Sequence, residues 1–179
     1  MRVISGKYRT RKLEAPAGMT TRPTMDMVKE AMFNILGTRV YDATILDLFS
    51  GSGALGIEAI SRGAKKVIFN DANHNSYRTI LHNIESLGIV EEHLVCNLDY
   101  LRCLNTIQDK LDIIFLDPPY KEKIYAEILD ILESKNLVNP YAIVVIESDL
   151  SYVFNPFEGY DNKEYKYGSK KLVVLRRKG

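Results

Sequence analysis

Asp117-Pro118-Pro119-Tyr120 follows the apolar run Ile113, Ile114, Phe115 and Leu116, so a carboxylate, two rigid residues and an aromatic face meet at the end of a predicted strand. That set of groups suits a planar amine. The exocyclic amine of a nucleobase is a poor nucleophile because its lone pair is delocalised into the ring, and it must be drawn toward tetrahedral geometry before it can attack. The Asp117 carboxylate can accept one N–H, the Pro118 carbonyl can accept the other, and Tyr120 can stack on the base. Pro118 and Pro119 stiffen the loop by fixing φ at about −65°. A Pro-Pro turn that merely ends a strand beside a surface Tyr is the bland alternative.

A second motif lies upstream, where the apolar run Ile45 to Leu48, interrupted by Asp47, breaks into Phe49-Ser50-Gly51-Ser52-Gly53-Ala54-Leu55-Gly56 and resumes as a helical stretch. Gly51, Gly53 and Gly56 satisfy G-x-G-x-x-G. Between a strand and a helix, such glycines permit a tight turn and close approach of a ligand, while the helix behind them offers free N–H groups. Asp71 lies 20 residues after Gly51, at the end of the next apolar strand (Val67, Ile68, Phe69), where an acid can take both hydroxyls of a ribose. Together these features indicate a nucleotide-type cofactor.

Two further acids discriminate between cofactors. Asp47, four residues before Gly51, stands where a dinucleotide site has apolar strand. A carboxylate there suits the ammonium of a methionine moiety and repels a pyrophosphate. Asp99, after Leu94-Val95-Cys96, can accept an adenine amine at the end of a third strand, or simply cap the helix Tyr100 to Ile107. In an open α/β sheet the loops starting at Asp47, Asp71, Asp99 and Asp117 converge beyond the carboxyl ends of the strands.

The elements that must position these residues follow from periodicity. A helix is expected from about Met25 to Leu36, capped by Thr24, with Val28, Met32, Ile35 and Leu36 as its apolar stripe. Strands Thr44 to Leu48, Lys66 to Asn70, His93 to Cys96, Leu111 to Leu116 and Ala142 to Glu147 alternate with helices after Gly53 and over His74 to Leu87, Tyr100 to Ile107 and Ile124 to Ser134. Apolar strands separated by helices predict a parallel sheet covered on both faces. Asn162 to Tyr167 and Lys171 to Arg176, around Gly168-Ser169, read as a closing antiparallel hairpin. At the start, Arg2 to Ile4 and Tyr8 to Glu14 around Ser5-Gly6 read as another, followed by a loop with Pro16, Gly18 and Pro23.

The 179 residues suit one domain, 1–179, with residues 1–24 as an amino-terminal appendage. Cys96 and Cys103 lack any C-x-x-C spacing, and His74, His82 and His93 share no ligand spacing, so no metal is expected and the cysteines read as buried thiols of a cytoplasmic protein. No signal peptide or membrane span is expected. The formal charge of +1 hides an uneven distribution. Residues 1–24 hold six Lys/Arg against one acid and residues 163–179 seven against one, while the chain between carries 11 basic against 21 acidic residues. Basic ends flanking an acidic body suit a phosphate backbone, with Arg2, Lys7, Arg9, Arg11 and Lys12 as candidate contacts. Tyr160, Tyr165 and Tyr167, beside Lys163, Lys166 and Lys170, could stack on RNA bases or pack against the sheet.

The chain resembles the class I S-adenosylmethionine-dependent methyltransferases, and among them the bacterial RsmD family, which methylates the N2 amine of a guanine in 16S ribosomal RNA. The resemblance rests on Arg2-Val3-Ile4-Ser5-Gly6-Lys7-Tyr8-Arg9-Thr10-Arg11-Lys12-Leu13, Thr21-Arg22-Pro23-Thr24, Lys29-Glu30-Ala31-Met32-Phe33-Asn34-Ile35-Leu36, the glycine loop and Asp117 to Tyr120. It covers nearly the whole chain. Departures are Asn70, where the family usually has an apolar residue, and the strongly basic Arg176-Arg177-Lys178.

The resemblance implies a Rossmann-like α/β fold with a seven-stranded, mostly parallel sheet, an antiparallel terminal hairpin and an amino-terminal β-hairpin. It implies S-adenosylmethionine as cofactor, with Ser50, Gly51, Ser52 and Gly53 toward its methionine portion, Asp71 at the ribose and Asp99 at the adenine amine, and Asp47, Ala72 and Tyr100 are expected among the cofactor-binding residues. Asp117, Pro118 and Tyr120 become the catalytic residues, with Pro119, Arg22 and Thr24 toward the substrate. The expected partner is 16S ribosomal RNA, within a small subunit or an assembly intermediate. Transfer would be direct and in line, with Asp117 orienting the amine, since a carboxylate of pKa about 3.9 cannot strip a neutral one. An adenine-N6 methyltransferase acting on DNA or other RNA is the rival enzyme. A noncatalytic RNA-binding module of the same fold is the rival from another class.

Overall fold

The computed structural model describes residues 1–19, 23–119 and 124–179, with the side chains of Pro23 and Thr24 outside that description. Helix α1 spans Pro23–Leu36 and buries Val28, Met32, Phe33 and Leu36 on one stripe. It begins with Pro23, whose missing N–H costs nothing at a first helical position. Thr24 therefore falls inside the first turn, as its second helical residue and not at the cap position expected for it. Gly37, at φ +57°, ends the helix and opens a short 3-10 turn over Gly37–Val40.

Strands and helices then alternate as β1 Thr44–Asp47, α2 Ala54–Ser61, β2 Lys66–Asn70, α3 His74–Leu87, β3 Glu92–Cys96, α4 Tyr100–Thr106, β4 Leu111–Leu116 and α5 Ile124–Ser134. The chain closes with β5 Val138–Asp149, β6 Tyr160–Tyr167 and β7 Lys170–Arg177. β5 starts four residues before the expected Ala142 because a register shift against β4, with Tyr141 at φ +64°, joins an early segment to the apolar strand.

All seven strands form one sheet in the order β3-β2-β1-β4-β5-β7-β6. The first five pair in parallel, and β7 runs antiparallel to both β5 and β6. Order reverses between β1 and β4, which opens a crevice at their carboxyl ends. Side-chain alternation feeds two cores. Ile45, Val67, Phe69, Ile113 and Phe115 pack under α1, α2 and α3, while Leu46, Ile68, Ile114 and Leu116 pack under α4 and α5.

The expected amino-terminal hairpin is reduced to a single antiparallel bridge, Arg2 to Lys12. Residues 4 to 8 turn away to bond with α2. The amides of Ile4 and Ser5 donate to the Glu58 carboxylate at 2.9 and 3.0 Å, and those of Lys7 and Tyr8 donate to the Ser61 carbonyl and hydroxyl. A Cβ on Gly6 would lie 1.8 Å from the Ser61 carbonyl oxygen, so only glycine admits this approach.

Candidate active site

A cavity of about 760 Å³ lies at the carboxyl ends of β1, β2 and β4, where strand order reverses. It is lined by Asp47, Ser50, Gly51, Ser52, Asp71, Ala72, Asp99, Tyr100, Asp117, Pro118 and Pro119. Residues as far apart in sequence as Asp47 and Pro119 thus share one space. Gly53 stands behind the lining as the N-cap of α2, at φ +82°. Tyr120, Arg22 and the Thr24 side chain lie outside the described residues.

The glycine loop is held from below and from the side. Ser50 Oγ donates to the Asp47 carbonyl at 2.6 Å, and the Gly53 amide donates to the Ser50 carbonyl at 2.8 Å. Asp71 accepts from the Gly51 amide at 2.8 Å through Oδ2 and from the Asn73 amide at 2.8 Å through Oδ1. Gly51 has φ +57°, and a Cβ placed there would meet no atom within 4 Å. The loop backbone therefore faces open space, as a ligand cradle must. Gly56 differs, because a Cβ there would strike the Phe69 ring at 2.2 Å. Its smallness serves contact between α2 and β2.

Asp47 is 2 % exposed and accepts from the Gly56 amide at 3.1 Å. Burial raises its pKa to about 7, with Asp71 and Asp117 adding repulsion and the Gly56 and Ser50 hydrogen bonds opposing the rise. A buried carboxylate at the cavity wall is a receptor for a cation. Asp99 caps α4 by accepting from the Arg102 amide at 2.9 Å and also lines the cavity. The Tyr100 hydroxyl donates to Glu127 Oε2 at 2.6 Å, which fixes the ring beside Phe49.

Several contributors escaped the sequence reading. Asn70, 2 % exposed, donates to the carbonyls of Leu48 and Leu98 and accepts from the Leu98 amide, thereby joining the loops after β1 and β3. An apolar residue could not do this. Asn83 on α3 ties the Ser52 carbonyl to Glu14 of the amino-terminal segment. From α1, Asp26, Lys29 and Met32 close the cavity, and from β5 Glu147 enters it. Lys29, 4 % exposed, lies 3.4 Å from the fully buried Glu58, which Arg62 also contacts at 2.9 Å. Burial lowers the Lys29 pKa, against the opposing pull of Glu58 and Asp26. The sequence signal for this pair was the acid interrupting the apolar α2 and the lysine on the inner face of α1.

The basic residues divide. Arg2, Lys7, Arg9, Arg11 and Lys12 lie outside the cavity lining, on the segment docked against α2 and α3. Lys7 is paired with Glu91 and Arg11 donates to the Ser86 carbonyl, while Arg2, Arg9 and Lys12 are exposed. At the other end, Lys170, Lys171, Arg177 and Lys178 are paired with Asp149, Glu164, Glu133 and Asp161. These pairs take up four of the seven basic residues of the carboxyl-terminal end. Tyr160, 6 % exposed, donates to Glu133, and the half-buried Tyr165 and Tyr167 pack against the core. Among the described residues no group of His, Cys, Asp and Glu could hold a metal ion, and no helix is long and apolar enough to cross a membrane.

Chemically, the cavity joins an anionic, glycine-floored half to a half ended by Asp117 and the two prolines. Such a layout can hold a cationic, ribose-bearing donor beside a flat acceptor. Comparison with known proteins identifies the family. A family described as Conserved hypothetical protein 95 matches residues 1–176. A Bacillus subtilis protein named "Putative rRNA methyltransferase YlbH" is 40% identical over 100% of both chains. The Haemophilus influenzae ribosomal RNA small subunit methyltransferase D is 35% identical over 83% of this chain and 79% of its own length. The solved structure of yhhF from Escherichia coli superposes with a TM-score of 0.87 at 29% identity, covering 100% of this chain and 98% of that one.

Proposed function

The chain belongs to the Conserved hypothetical protein 95 family, with the ribosomal RNA small subunit methyltransferase D proteins among its relatives, and from that premise we propose that it methylates the N2 amine of a guanine in small-subunit ribosomal RNA. Its cofactor is S-adenosylmethionine, which when bound supplies a methyl group made electrophilic by a sulfonium. The cavity residues fit that group: Asp47 for the ammonium, the open Gly51 backbone for close approach, and the Asp71 carboxylate for ribose hydroxyls. Asp99 and Tyr100 form the wall for the adenine.

The observation that carries the proposal is the placement of Asp117 on the same cavity as Gly51 and Asp47. Asp117 accepts an N–H of the base amine and the Pro118 carbonyl accepts the other, which turns the nitrogen lone pair toward the donor. Asp117 holds this orientation and takes up the proton once the nitrogen, gaining a fourth bond, becomes acidic. The prolines keep both acceptors in place with little entropy left to lose. The exposed Arg2, Arg9 and Lys12 contribute to holding the RNA backbone. The substrate is the rRNA within a small subunit or an assembly intermediate, where the target base is already exposed and little unstacking is required.

The test is incubation with methyl-labelled S-adenosylmethionine and either naked small-subunit rRNA or subunits lacking the mark, followed by mapping of the labelled base. Label on the N2 of one guanine is expected. Label on adenine N6, or on neither RNA form, contradicts the proposal.

A further inference from the structure

Glu147 ends the apolar part of β5 beside Asp117. Leu116 pairs with Ile146 in the parallel register of β4 and β5, so the next residues on the two strands, Asp117 and Glu147, are neighbours, and both line the cavity. Within β5, Val145 points into the core beneath α1 and Ile146 into the opposite core. Alternation therefore turns Glu147 toward the α1 side, the side from which Asp26 and Lys29 close the same cavity. The Tyr125 hydroxyl, pushed up chiefly by its own burial, is raised further by the charges of Asp117 and Glu147 among others.

Two acceptors side by side match one purine edge. Guanine presents N1–H and the N2 amine as adjacent donors, whereas adenine presents its amine next to an N1 lone pair. We propose that Glu147 determines base specificity by accepting the N1–H of the target guanine while Asp117 accepts from N2; this rests on the guanine-N2 reading above. An adenine in the same pose sets the Glu147 carboxylate against the N1 lone pair, two acceptors with no hydrogen between them. Hydrogen bonding from N1–H also returns electron density to the ring and so to the attacking nitrogen.

The base 2-aminopurine separates these effects, since it keeps the N2 amine but bears a lone pair at N1. After the methylated nucleotide is mapped, rRNA carrying guanine or 2-aminopurine at that position is compared by kcat/KM, with cofactor affinity measured in parallel. The wild-type protein is expected to prefer guanine by roughly 100-fold. Glu147→Gln, whose amide can donate to N1, is expected to narrow that preference about tenfold or more at unchanged cofactor affinity. A wild-type ratio near one overturns the inference whatever the variant does, as does an unchanged ratio in a folded Glu147→Gln. Either result leaves guanine methylation standing, whereas label mapped to adenine by the wild-type protein removes the parent reading itself.

Discussion

The Gly51 amide donates to Asp71 Oδ2 at 2.8 Å, so the acid that ends β2 braces the loop that ends β1. Its other oxygen holds the Asn73 amide, and Asn73 in turn caps α3. One carboxylate thus preforms the glycine-loop side of the cavity, where the cofactor is proposed to lie. Asp71→Ala should lower cofactor affinity at least about tenfold and reduce stability by about 1 to 3 kcal/mol through the unsatisfied amides. Calorimetric binding and urea unfolding measure both. Unchanged affinity would remove Asp71 from the cofactor site.

Asp47 ties stability to pH in an unusual direction for a carboxylate. Its folded pKa, about 7, lies above the unfolded value, so the folded state binds the extra proton between the two. Stability from this group is full below about pH 4 and is lost as pH rises through the folded pKa, at up to about 1.4 kcal/mol per unit. Asp47→Asn should flatten that slope and be more stable than the wild type at pH 8, yet bind the cationic cofactor at least about tenfold more weakly. Urea midpoints from pH 5 to 8 and binding at pH 8 test this. A variant less stable at pH 8 would contradict it.

Much of this architecture was legible in the sequence, because strong periodicity leaves little choice. β2, α3, β4 and α5 have the bounds that their apolar patterns predict, and Gly88, at φ +66°, ends α3 as a left-handed cap. Four acids at strand ends pointed to one site, and the cavity collects all four. Missed features depend on distant partners. The Ser5-Gly6 turn looked like a hairpin, but the amides of Ile4 and Ser5 find their acceptor in Glu58, more than 50 residues away. Asn70 looked like a departure from an apolar pattern, and its value lies in carbonyls of two other loops. Glu147 ended a strand with no motif around it. Only the register with β4 sets it beside Asp117.

Glu58 carries the docking of the amino-terminal segment and of α1 onto α2. It is fully buried and is met by Lys29, Arg62 and the amides of Ile4 and Ser5. Removing one partner of such a pair strands the other, so Glu58→Ala should cost about 3 to 5 kcal/mol. Adding Lys29→Met should recover part of that loss, and a double-mutant cycle by urea unfolding reads the coupling. Additive effects would show that the two residues act independently.

Asp117 carries the chemistry proposed for this cavity, across the space from the glycine loop proposed to receive the cofactor. Asp117→Ala should therefore lower methyl transfer to small-subunit rRNA by about 100-fold or more while S-adenosylmethionine affinity stays within about twofold, both measured on the same preparation. Near-normal turnover, or turnover lost only in proportion to cofactor affinity, would contradict the assignment of Asp117 to the base amine.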